Sequence, residues 1–315
     1  MRAGIRSHVR GGAAALVLSG TLLSAGCANA PDHPAARTGG LPGVPDACAM
    51  ADLPDEDTVM RLPFEIVHGR VYVQAHVNGA GPYTFAIDTG ASGLGRADAS
   101  LTEALGLKIS GTAETGDGVT VAAADTVHFD SLDVGGVIKT EFDVMTRDYS
   151  SSAPPGAEIS GIVGRDFFAD GLLVIDFPSR IVSFSQTRAL SPAVDGVLAY
   201  ARPFRVPVVI GDRVFEANLD TGAGVTMVFP RKLFDAVSGG PLESAGQGRL
   251  TNTLISMDRG IVHGPVRIGG ATVSDIEVRV SEEFPELLVG AEVLQGYVLA
   301  FDQRARLVTV CPPGE

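Results

Sequence analysis

The chain has 315 residues, 45% of them apolar and 19% charged, with a formal net charge of −13. That balance describes a globular protein with room for two cores and excludes a disordered or fibrous chain. An acidic body also argues against nucleic acid or an anionic membrane surface as the working partner.

In chain order, the first segment reads as a leader. Arg2, Arg6 and Arg10 precede an apolar run from Ala13 to Ala25, too short to span a membrane and stay there. Two processing routes are open. Leu23-Ser-Ala-Gly-Cys27 resembles the lipobox of bacterial lipoproteins, where the cysteine, here Cys27, becomes lipidated and N-terminal. The other route is ordinary cleavage after Ala30. Either way the mature protein is expected outside the cytoplasm, as an envelope lipoprotein or a periplasmic or secreted protein. Any membrane contact would be through the lipid anchor alone. With residues 1–27 as signal peptide, residues 28–61, rich in Pro, Ala, Gly and Asp, read as a flexible tether. Cys48 and Cys311 remain, in a compartment that permits oxidation, and are expected to form a disulfide.

Beyond the tether the sequence repeats itself. Pro63-Phe64 leads into a strand with Val71, Val73, Ala75 and Val77 on one face, a turn at Asn78-Gly-Ala-Gly-Pro82, and a second strand ending in Asp88. Pro203-Phe204 leads into Val206, Val208 and Ile210, a turn at Gly211-Asp-Arg213, and a strand ending in Asp220. Each aspartate opens the tetrapeptide Asp-Thr-Gly-Ala, the two copies lying 132 residues apart. A helix signal follows each: Ser100 with Glu103 as a capping box and Gly106 as a stop, then Pro230 as a start and Gly239-Gly240 as an end. Leu132–Gly136 and Val266–Gly270 read as hairpins. Ile162-Val163-Gly164 matches Leu288-Val289-Gly290, and Asp176 matches Asp302, both at a spacing of 126. The organisation predicted is all-β with short helices: one lobe over 62–190, a link, and a second lobe over 198–312.

Phe85-Ala-Ile-Asp-Thr-Gly-Ala-Ser92 with Ile162-Val-Gly-Arg-Asp166 resembles the aspartic peptidase superfamily, in its retropepsin-like branch. Two copies in one chain resemble the pepsin arrangement, covering about Arg61 to Pro312. The resemblance implies two acid-protease lobes related by a pseudo-twofold axis. Asp88 and Asp220 would be the catalytic pair, activating a water against a peptide or protein substrate with no cofactor and no metal. Two facing carboxyls cannot both ionise comfortably, so they share one proton. The resemblance assigns active-site support to Thr89, Gly90, Ser92, Thr221 and Gly222, the threonines bonding across the lobes. Retroviral members pair an acidic residue with an arginine where this chain has Ser92 and Arg165, and the second lobe has Gly224 and Ala291 there. Gly111–Ala124 and Gly246–Asp258 read equally as cleft flaps or as ordinary surface hairpins.

Alone, either aspartate reads equally well as a turn cap; Asp176 and Asp302, before turns, read as turn formers. The nucleophile-elbow pattern fails at Leu94, and the six histidines show no ligand spacing. The function expected is an aspartic endopeptidase working as a monomer with an internal pseudo-dimer. The alternatives are a catalytically idle, peptide-binding envelope lipoprotein and a chain whose lobes pair with those of another copy.

Overall fold

The computed structural model describes residues 47–151 and 153–312, so the leader, Cys27 and the tether up to residue 46 lie outside the described residues. Among the described residues the fold is all-β, with four short α-helices: Ala47–Ala51, Ala99–Ala104, Arg231–Val237 and Ala291–Leu294.

The alternation in the sequence translates directly into faces. Val71, Val73, Ala75 and Val77 are buried while Gln74 and His76 are exposed; Val206, Val208 and Ile210 are buried likewise. These strands build two similar sheets. The first has eight strands in the order Glu65–Val67, Arg70–Val77, Ala80–Asp88, Gly161–Gly164, Gly95–Asp98, Val137–Arg147, Val121–Val134, Ile109–Gly116. The second has nine: Glu243–Arg249, Leu254–Val262, Ile276–Ser281, Met227–Pro230, Leu287–Gly290, Arg213–Asp220, Arg205–Ile210, Val266–Ile268, Ala271–Val273. Read from opposite ends, the orders coincide through the strands that carry the aspartates.

A six-stranded sheet joins the halves, in the order Met60–Pro63, Ile181–Ser185, Leu172–Asp176, Val298–Asp302, Leu307–Cys311, Val197–Ala199. Its central strands are antiparallel, and Val174 lies opposite Ala300. These two positions are counterparts in the repeat, so a pseudo-twofold axis passes between them. The main core runs through both halves. Phe64 packs edge-on to Phe177 at 5.7 Å, and Phe204 lies 4.7 Å from Phe301, so each Pro-Phe opening anchors its half to this region.

Two expectations shift. The tether gives way to packed structure from Ala47: Ala51 and Leu53 are buried against Leu172, Val174 and Ala300, and Met60–Pro63 joins the six-stranded sheet. A disulfide between Cys48 and Cys311 fixes this segment to the last strand. The helix Ala99–Ala104 is capped by Asp98, not by Ser100. The Asp98 carboxylate accepts from Ser100 N at 3.0 Å and also from Tyr149 N and Ser150 N, so one charged acceptor closes the helix and holds a distant loop.

Candidate active site

Asp88 and Asp220 are the last residues of their strands, Ala80–Asp88 and Arg213–Asp220. Each strand runs parallel to a short strand ending in glycine, with Asp88 beside Gly164 and Asp220 beside Gly290. The chain then loops across that glycine and returns as a third strand. The loops are held alike: Gly164 N donates to Leu94 O and Gly290 N to Thr226 O, Arg165 N to Ala91 O and Ala291 N to Ala223 O. A methyl group at Gly164 would stand 2.3 Å from Gly93 O, and one at Gly290 2.2 Å from Val225 O. The loops cross at a distance no side chain permits.

The threonines lock the two loops to each other. Thr89 N donates to Thr221 Oγ1 at 3.1 Å, and Thr221 N to Thr89 Oγ1 at 3.0 Å. Each hydroxyl in turn donates across the axis, Thr89 to Leu219 O at 3.1 Å and Thr221 to Ile87 O at 2.9 Å. Thr89 and Thr221 are 1% and 0% exposed, so all four bonds are shielded from water.

Gly90 and Gly222 have a reason beyond turning the chain: neither has a positive φ. A methyl at Gly90 would lie 2.6 Å from the Asp220 Cγ, and one at Gly222 2.2 Å from the Asp88 Cγ. Each glycine leaves room for the carboxyl of the opposite half. The two carboxyl groups accordingly come within hydrogen-bonding reach of one another. Asp88 Oδ1 accepts from Ala91 N, and Asp220 Oδ1 from Gly222 N, each at 2.9 Å. Burial, followed by the charge of Asp88, pushes the Asp220 carboxyl up to about 8. Both aspartates nonetheless keep partial exposure.

Ser92 is exposed, and its hydroxyl makes no hydrogen bond among the described residues. The first loop is braced instead by Arg165, whose Nη1 donates to Gly90 O at 3.0 Å, and by Asp166, which accepts from Gly93 N at 2.7 Å. Asp176 and Asp302 close turns, accepting from Ser179 N and Ala305 N.

Sequence reasoning passed over three side chains in this region. Arg96 and Tyr149 both lie within electrostatic reach of Asp88, and Tyr149 also of Arg147. Arg96 follows the Asp-Thr-Gly motif by only a few residues, but nothing in its spacing marks it as inward-facing. The glycine-rich stretches form hairpins whose tips meet. Asn252 N donates to Asp117 at 2.7 Å, Asn252 Nδ2 donates to Thr115 O and Thr120 O, and Arg147 Nη1 donates to Asn252 Oδ1 at 2.7 Å. The linked tips are thus tied to the first-half wall through Arg147. For a cation, the described residues offer one group, His128, Asp130 and Glu141, on a solvent-exposed surface of the Val121–Val134 and Val137–Arg147 pair.

A family model described as aspartyl protease matches residues 73–167. The matched span holds Asp88, Thr89, Gly90 and Gly164, covers well under half of the chain, and ends before the second copy. It supports placement in the aspartic peptidase superfamily. No curated protein matches this chain at a significant level.

Proposed function

We propose that this protein is an exported aspartic endopeptidase in which Asp88 and Asp220 hydrolyse peptide bonds without a cofactor. The observation that carries the reading is the juxtaposition of two carboxyls on mirrored loops, with each glycine vacating space for the opposite acid. The resemblance of the flanking motifs and the family match support it further.

The chemistry follows from the asymmetry of the pair. Asp220, raised to about 8, carries the proton near neutral pH, and Asp88 is the base. Water between them gives a proton to Asp88 as its oxygen adds to the substrate carbonyl carbon, while Asp220 protonates the carbonyl oxygen. The tetrahedral diol then collapses. Asp88 passes its proton to the departing nitrogen, the C–N bond breaks, and a diol hydroxyl returns its proton to Asp220. The threonine lattice keeps the two acids in register, which limits the reorganisation needed at each step. One chain supplies both acids, so a monomer suffices, and Cys27 lipidation or cleavage after Ala30 would place it at the envelope.

Incubation of the purified protein with a mixed peptide library between pH 4 and 7 tests this. Cleavage is expected, blocked by a statine-type inhibitor and reduced on the order of 10³-fold by Asp88→Asn or Asp220→Asn. Undiminished proteolysis in Asp88→Asn overturns the assignment. Peptide binding without cleavage by the wild type would identify an idle, peptide-binding descendant.

A further inference from the structure

The face of the first-half sheet that bears Asp88 carries an arginine where the matching position of the second half has valine. Arg96 pairs across the sheet with Ile162 and Ile162 with Ala86, and Asp88 follows Ala86 by two, so all four side chains stand on one face. Arg96 is 8% exposed, yet no carboxylate oxygen lies within 4.0 Å of its guanidinium among the described residues. Its hydrogen bonding there is confined to Nη1 and the carbonyl of Gly95, its own neighbour, at 2.9 Å. Burial lowers its pKa; the carboxylates of Asp88 and Asp166 favour its charged form from beyond contact distance, and Arg165 opposes it.

A second cation lies on the same face, and Tyr149 is within electrostatic reach of both. Arg147 lies two residues beyond Met145, the strand partner of Arg96, and so shares its face. Nη1 of Arg147 is engaged by the hairpin tip, but Nη2 is buried with no partner among the described residues. The Tyr149 hydroxyl makes no hydrogen bond among the described residues. Three donors therefore stand around one patch of wall with little to accept from them.

The second half shows what the same fold does without that charge. Val228 occupies the position of Arg96, paired with Leu288 as Arg96 is with Ile162, in an apolar cluster with Ile255, Met257 and Phe284. Arg279, the strand partner of Val228, is tied to Glu277 at 3.2 Å. A buried guanidinium without a counter-ion costs stability. In a chain of net charge −13 that can place valine at the matching site, Asp88 and Asp166 act on Arg96 only from beyond contact distance, so the position nearest the guanidinium is left for an incoming anion.

We propose that Arg96, with Arg147 and the Tyr149 hydroxyl, receives a carboxylate of the substrate next to the scissile bond. The inference rests on the peptidase reading and narrows it. The preferred peptides carry an acidic group on the first-half side of the cut and an apolar residue on the other. The carboxylate comes from an Asp or Glu side chain, or from the peptide's own C-terminus, in which case the cut removes a terminal residue instead of dividing the chain internally.

The test is kcat/KM on matched peptides that differ only in Glu against Gln at the positions flanking the cut, each with a free and an amidated C-terminus. A Glu-to-Gln ratio of about 10–100 is expected for one charge-assisted contact, collapsing to about 1 in Arg96→Val and surviving in part in Arg96→Lys. A ratio carried by the free C-terminus instead identifies the terminal carboxylate as the source. Arg147→Gln, expected to lower the ratio severalfold, serves if Arg96→Val does not fold. A wild type indifferent to charge overturns the proposal, as does an equal loss on Glu and Gln peptides in Arg96→Val. Binding of the same labelled peptides to Asp220→Asn separates the two readings. Arg96-dependent selection of acidic peptides without any cleavage by the wild type sinks the peptidase and keeps the pocket, whereas cleavage without selection does the reverse.

Discussion

Around Asp88 and around Asp220 the backbone repeats itself bond for bond. The same loop atoms are held by the same strand atoms, and the threonines trade equivalent hydrogen bonds across the axis. A few ångströms away the likeness stops. The first-half wall has Arg96 and Tyr149, the second-half wall has Val228, Leu288 and Phe284, and the first loop is braced by Arg165 where the second has Ala291. The difference teaches which features the chemistry demands twice and which it leaves free. Two acids that meet with no slack need the same frame on both sides, and the backbone and threonine bonds that fix their mutual position are duplicated. On the proposed reading the walls would meet different ends of a substrate, so they have no reason to match.

Breaking the duplicated part should hurt equally from either side. Thr89→Val and Thr221→Val each strip a buried N–H and a buried C=O of their partners and should destabilise by about 2–5 kcal/mol. Chemical denaturation of both variants and of the double variant measures this. Near-equal single losses, and a double loss well below their sum, mark one shared lattice. A threonine whose loss is free would show that its half is not under the same constraint. Next in size, Gly90→Ala and Gly222→Ala push a methyl group into the opposite carboxyl and should each lower kcat on the order of 10²-fold. Steady-state assays beside melting curves separate that displacement from simple unfolding.

The sequence carried the duplicated part legibly because a repeat is visible without coordinates. The alternation around Val71 and Val206, the two Asp-Thr-Gly-Ala tetrapeptides and the glycines at 164 and 290 all follow from chain-local rules. Contacts between remote segments were not visible. Asp98 as helix cap was hidden because a capping box at Ser100 and Glu103 fits the local pattern equally well; what distinguishes Asp98 is its hold on Tyr149 and Ser150. Asn252 and Arg147 look like ordinary polar residues until the hairpin tips meet. Arg96 escaped for a similar reason. An arginine in a strand normally faces water, and only cross-strand register reveals that this one lies with Asp88. The role of Gly90 and Gly222 was legible in kind but not in cause, since the obstacle each would meet belongs to the other half of the chain.

The smallest effect sharpens the contrast between the two acids themselves. Asp220 is held above the ordinary carboxyl value of 3.8, up to about 8, first by burial and then by Asp88. Between those values the folded state keeps a proton that the unfolded chain releases, so this group's contribution to stability is full below about 4 and is lost as pH rises towards 8. Asp220→Asn removes the dependence while its side-chain carbonyl can still accept from Gly222 N. The variant should therefore match the wild type near pH 4 and melt at a higher temperature at pH 8 and above, the gap opening steadily between. The wild type's cleavage rate should decline over the same alkaline range, because an ionised Asp220 has no proton to give the carbonyl oxygen. Melting curves and rates recorded across pH 4–9 check both halves of the statement. A variant less stable than the wild type at every pH would mean that the Asp220 carboxyl is not suppressed by its surroundings, and the division of labour between base and acid would have to be reversed or abandoned.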